Sequence, residues 1–124
     1  MDSLDLDTPR NSQRADGIRT LTSSAFTAQV LEADGPVVVE FMSYGCAYCR
    51  ELEPVLQQVA QMVSATEKVF RVNIAVDEAL AADYGVDGTP TLVMFLNGQE
   101  VGRAAGPHPT VASLLSTVTE PFES

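Results

Sequence analysis

Basic residues are scarce in this 124-residue chain: Lys and Arg number 7 against 17 Asp and Glu, for a formal net charge of -10. That balance argues against nucleic acid or an anionic membrane as partner, because binding either requires Lys and Arg to neutralise phosphate. Long hydrophobic runs are missing as well; none approaches the roughly 20 apolar residues that span a bilayer. The start, Met1-Asp2-Ser3-Leu4-Asp5-Leu6-Asp7, has neither the basic opening nor the apolar stretch of a secretory signal. A reducing cytoplasm is the expected location, with an export segment ahead of this sequence left open. Tryptophan is absent, and cysteine is limited to Cys46 and Cys49. Two cysteines so close together are not a structural disulfide framework. With His108, the lone histidine, they fall short of the four ligands of a structural zinc site. Only a second copy of the chain could complete such a set, for zinc or for a bridged iron–sulfur cluster.

What is present fits one globular domain with a real core: 45% of the residues are hydrophobic. Residues 1–16 mix Asp, Arg, Ser, Pro, Asn and Gly without hydrophobic period and read as a flexible acidic tail ahead of a domain over 17–124. Ile18 to Leu21 suggests a short strand, and Ser23 or Ser24 a cap for a helix through Glu32 that Asp34-Gly35 ends. Pro36 to Met42 is a β-branched run suited to a covered central strand. A helix follows from about Cys46 to Val63, with Leu52, Val55, Leu56 and Val59 at core spacing and Pro54 expected to bend it. Val69 to Ile74 reads as a third strand and Asp77 to Tyr84 as a short helix. Thr91 to Leu96 and Gln99 to Ala105 flank Asn97-Gly98, the strongest short hairpin signal. A last helix spans about Thr110 to Thr119. Parallel strands followed by an antiparallel hairpin, with helices enough for both faces, define an α/β fold: a central mixed sheet of about five strands flanked by about four helices.

Chemistry concentrates at Cys46-Ala47-Tyr48-Cys49, between a strand and a helix. A helix N-terminus leaves backbone N–H groups unpaired and carries partial positive charge. A thiolate placed there is stabilised and becomes a nucleophile at neutral pH. The second cysteine, almost one turn on, is within reach of a disulfide with the first. Glu40 is the other notable residue. Alternation along its apolar strand points it inward, beneath the helix that carries the cysteines, where desolvation raises a carboxyl pKa toward neutrality. The alternatives are a strand-end glutamate reaching solvent, or one paired with Arg71 on the neighbouring strand. Tyr44 and Tyr48 flank Cys46 on an exposed turn, as substrate contacts or as a shield. Arg50 adds positive charge that Glu51 and Glu53 offset.

Taken together, the strand ending at the cysteine pair, Pro54, the run Tyr84-Gly85-Val86-Asp87-Gly88-Thr89-Pro90-Thr91, the Asn97-Gly98 hairpin and Gly106 resemble the thioredoxin family from about Ile18 to Val118. The resemblance implies a thioredoxin fold in which Pro90 is cis and faces the cysteines. It implies that the Thr89 backbone pairs with an extended substrate chain like an added strand. Cys46 is then the attacking thiol and Cys49 the resolving one, while Glu40, through a water, takes the proton of Cys49. Gly45 and Met42 stand where typical thioredoxins carry tryptophan, and Ala47-Tyr48 replaces their Gly-Pro. Tyr before the second cysteine is similar to the glutaredoxin motif. Glu40 stands at the position of a buried Asp and is similar to the Glu of the disulfide isomerase branch. Gly106 in the family lies near the active face, so His108, held between Pro107 and Pro109, is either a surface residue or a proton donor beside the cysteines.

The implied function is thiol–disulfide oxidoreduction on disulfide-containing protein substrates, with no bound cofactor and no metal. Electrons come from a thiol-reducing partner enzyme or leave to an oxidising one, and the chain is expected to be a monomer. Tyr44, Gly45, Ala47, Tyr48, Thr89, Pro90 and Gly106 are the expected substrate contacts. Glutaredoxin-like or oxidase/isomerase-like exchange is the variant within the same chemistry. A docking or chaperone-like subunit that keeps the fold is the alternative from another class.

Overall fold

A computed structural model describes residues 17–123; the tail expected over 1–16 lies outside them. The strands are β1 (Arg19–Thr20), β2 (Pro36–Met42), β3 (Lys68–Asn73), β4 (Thr91–Leu96) and β5 (Gln99–Ala105). The helices are α1 (Ser23–Phe26, continued as a π-helical turn over Thr27–Leu31), α2 (Ala47–Met62), α3 (Glu78–Asp83) and α4 (Val111–Thr119), followed by a 3₁₀ turn over Glu120–Phe122. The sheet order is β1-β3-β2-β4-β5. β3 pairs parallel with both β1 and β2, whereas β2–β4 and β4–β5 are antiparallel. This is the five-stranded mixed sheet with four helices that the sequence pattern predicts.

Two-residue alternation along β2 divides the core. Val37, Val39 and Phe41 join Phe26, Val30, Phe70, Leu80 and Phe95 on the α1/α3 side. An edge-on contact of Phe26 with Phe95, at 5.9 Å between ring centroids, closes that layer. Val38 joins Leu52, Leu56, Val59, Leu92 and Leu114 on the α2/α4 side. By the same alternation Glu40 belongs to the α2/α4 side, under the helix that begins at the cysteines. Arg71 is its register partner on β3 and Leu92 its partner on β4.

Two features of the first helix depart from the expected pattern. The first helix has Thr22 rather than Ser23 or Ser24 at its N-cap position, with no capping hydrogen bond from the side chain. Its second half widens so that the Glu32 N–H reaches the Thr27 carbonyl, five residues back, at 2.9 Å. This wider turn meets the hairpin tip: a Cβ on Gly98 would lie 2.1 Å from the Leu31 carbonyl oxygen. Gly98 has φ +84 and Asn97 φ 52, as a two-residue turn between twisted strands demands. Pro54 lies inside α2, as the sequence pattern places it, and its missing N–H removes the helical donor for the Arg50 carbonyl.

Candidate active site

The end of β2 at Met42 feeds a short turn through Ser43, Tyr44 and Gly45 into α2, and Cys46 takes the N-cap position with extended backbone, φ -86 and ψ 117. N-cap side chains accept a hydrogen bond from an otherwise orphaned backbone N–H. Here the acceptor is sulfur: the Cys49 N–H donates to Cys46 Sγ at 3.1 Å. Cys46 Sγ also lies 3.5 Å from the carbonyl oxygen of Thr89. Both cysteines stand as thiols, Cys46 partly exposed and Cys49 buried at 3% exposure.

The two sulfurs differ sharply in acidity. Burial works to raise the pKa of Cys46, but hydrogen bonds from the Cys49 thiol, from Thr89 and from the N–H groups of Cys49 and Tyr48 outweigh it and hold this thiol below its ordinary value of 9.0. Cys49 is pushed up to about 11, first by burial and then by its hydrogen bond to Cys46.

Around the pair, the Thr89–Pro90 peptide bond is cis. The Pro90 carbonyl accepts from the Gly106 N–H at 2.8 Å, which ties the Gly106 loop beside it. Tyr44 is 62% exposed at the rim, and its carbonyl accepts from the Arg50 guanidinium at 2.8 Å. Gly45 and Ala47 are exposed. Tyr48 differs from the expected exposed turn. It lies half-buried in the first turn of α2, with its hydroxyl donating to the Pro107 carbonyl at 2.6 Å. Its ring would be 3.5 Å from a Cβ placed on Gly106, so tyrosine and glycine fit against each other. His108 is exposed beyond that contact.

Beneath the cysteines Glu40 is 0% exposed, and neither carboxyl oxygen has a hydrogen-bond partner. Burial drives its pKa up to about 7; the nearby Arg71 charge opposes this and the Glu53 charge adds to it. Arg71 Nε is 3.6 Å from Glu40 Oε1, an ion-pair distance beyond hydrogen-bond reach. The direct partner of the guanidinium is Glu53, whose Oε2 contacts Arg71 Nη2. A cleft of about 260 Å³, lined in part by Met42, Tyr44, Cys49, Arg50, Glu53 and Arg71, opens beside the buried thiol. Glu53 was read from sequence only as a charge offsetting Arg50. Its spacing four residues beyond Cys49, on the same helical face, was the available signal.

The Thioredoxin family model matches residues 17–120. This chain belongs to the thioredoxin family. Thioredoxin 1 of Synechococcus elongatus is 37% identical over 97 residues, 77% of this chain and 91% of that protein. Thioredoxin 1 of a Nostoc species is 37% identical over 89 residues, 72% of this chain and 83% of its own. Thioredoxin of Rickettsia bellii is 31% identical over 88 residues, 71% and 84% of the two chains. As a thioredoxin-family protein, the chain is a protein-disulfide oxidoreductase. Among the described residues no helix is long and apolar enough to cross a membrane, and no group of three or more His, Cys, Asp or Glu is placed to hold a metal ion.

Proposed function

We propose that Cys46 and Cys49 divide the exchange between them. The Cys46 thiolate attacks one sulfur of a substrate disulfide and expels the other as a thiolate, which forms a mixed disulfide. Cys49 then gives its proton, through a water, to the Glu40 carboxylate and attacks Cys46 Sγ. The second substrate sulfur leaves as a thiolate and Cys46–Cys49 closes. Two electrons pass from the enzyme dithiol to the substrate, whose thiolates take up protons from solvent or from Glu40. The observation that supports this division most directly is the N-cap sulfur of Cys46, which accepts the Cys49 N–H at 3.1 Å while Cys49 itself is buried. One thiol is reachable and the more acidic of the two; the other is held in reserve.

The Thr89 backbone serves as the rail for an extended substrate strand, with Tyr44, Gly45, Ala47, Tyr48, Pro90 and Gly106 around it. The enzyme works as a monomer in a reducing cytoplasm, where net flow is toward substrate reduction and a reductase resupplies electrons. In this setting it contributes to electron transport and redox homeostasis. Insulin reduction with dithiothreitol as donor tests the scheme. The wild-type chain precipitates insulin, Cys46→Ser does not, and Cys49→Ser accumulates a substrate adduct that dithiothreitol releases. Full activity in Cys46→Ser, or no adduct in Cys49→Ser, would overturn it.

A further inference from the structure

Arg71 is one cation set between two carboxylates, and it engages them unequally. Its Nη2 contacts Glu53 Oε2, while Glu40 is left 3.6 Å from Nε with both oxygens lacking hydrogen bonds. Glu53 is anchored in turn by Gln57, whose Nε2 donates to the same Oε2 at 2.7 Å. Glu53 reaches this position from α2, its side chain 27% exposed at the mouth of the cleft beside Cys49. With Arg71 and Glu53 both ionised, that pair is neutral. Ionising Glu40 as well would leave a net negative charge in a buried site, which the low dielectric disfavours.

We propose that Glu53 is a positioning residue of the disulfide exchange: by drawing the Arg71 guanidinium into direct contact it weakens that cation's hold on Glu40 and keeps the Glu40 carboxyl able to exchange a proton with Cys49. The inference rests on the role assigned to Glu40 above and adds the residue that sets its protonation state. The groups facing Glu40 are few. Arg71 comes from β3, Glu53 from α2, and Cys46 from the N-cap of α2. Leu92 on β4 and Leu114 on α4 bring no charge to that face. Glu53 therefore decides how much of the single positive charge Glu40 experiences.

Glu53→Gln tests this in the full chain, because it removes the charge while keeping the shape and an oxygen for Gln57 and Arg71. The readouts are the carboxyl ¹³C titration of Glu40 in the reduced protein and the pH profile of the resolving step. Arg71 then turns to Glu40, and the Glu40 midpoint and the inflection fall together by at least one pH unit. At pH 7 the protonated fraction of Glu40 drops from roughly half to roughly a tenth. Glu53→Asp, which keeps the charge, returns both readouts toward the parent values. A Glu53→Gln midpoint that stays in place or rises, or a Glu53→Asp midpoint that falls as far as that of Glu53→Gln, overturns the proposal. Glu40→Gln separates the two levels of the reasoning. If it retains the inflection, the Glu40 assignment itself fails; if it abolishes the inflection while Glu53→Gln leaves it unmoved, only the role of Glu53 fails.

Discussion

Replacing Glu40 by leucine will make the protein more stable, and the gain will depend on pH. Burial moves the carboxyl from its ordinary 4.5 to about 7 in the folded chain. At ~1.4 kcal/mol per pH unit, that interval corresponds to about 3 kcal/mol. The sign follows from proton linkage. Between 4.5 and 7 the unfolded chain has already released this proton while the folded chain still holds it, so unfolding releases a proton and stability falls as pH rises. The penalty is absent below 4.5 and complete above about 7. Glu40→Leu removes it and also fills the space of two buried oxygens that lack hydrogen bonds. Arg71 keeps Glu53 as its partner, so no buried cation is stranded. Glu67, buried and also raised to about 7, adds a slope of the same direction, but it is present in both proteins and cancels in the difference. The assay is urea unfolding of the reduced chain by far-UV circular dichroism at intervals from pH 4.5 to 8.5, since the sequence contains no tryptophan to follow. The variant's advantage should widen by about 3 kcal/mol across that range. A difference that stays constant with pH would refute the reasoning.

The cysteines should separate by alkylation: iodoacetamide at pH 7 labels Cys46 and leaves Cys49 unlabelled, with the Cys46 half-reactivity point below 9.0 and the Cys49 point near 11. Equal labelling of the two by mass spectrometry would contradict the assignment. Tyr48→Phe removes the hydroxyl that donates to Pro107, costs about 1 kcal/mol in urea unfolding and speeds hydrogen exchange at the Gly106 amide. Unchanged stability and exchange would show that the bond carries no load. Gly98→Ala places a methyl 2.1 Å from the Leu31 carbonyl at a φ of +84, so the melting temperature should fall by an amount equivalent to at least ~2 kcal/mol. A loss within experimental error would mean that the hairpin tip moves freely away from α1.

The strands were legible because their signals are local. Pro36–Met42, Thr91–Leu96 and Gln99–Ala105 occupy the spans that β-branched runs and the Asn97-Gly98 turn delimit. Alternation also put Glu40 inward, and strand adjacency put Arg71 beside it. The π-helical turn at Thr27–Leu31 was not legible, because a helical period describes which face is apolar and is blind to whether a carbonyl is met four or five residues on. Tyr48 was read as an exposed aromatic; its hydroxyl is committed to Pro107, 59 residues away in sequence, which no local pattern encodes. Glu53 looks like an ordinary helix-surface charge until the sheet brings Arg71 under it. The resemblance placed Thr89, Pro90 and Gly106 near the cysteines, and the 3.5 Å contact of Cys46 Sγ with the Thr89 carbonyl together with the Gly106–Pro90 bond is the geometry found there.

Among the described residues the sheet stops on one side at a two-residue strand, Arg19–Thr20, and on the other at a mostly exposed one whose Arg103 and Glu100 are paired at 2.8 Å. Short or charged margins of this kind discourage stray polypeptide from annealing onto them. A protein-disulfide oxidoreductase meets other polypeptides at every turnover. Blunt flanks leave those polypeptides little edge to add a strand to.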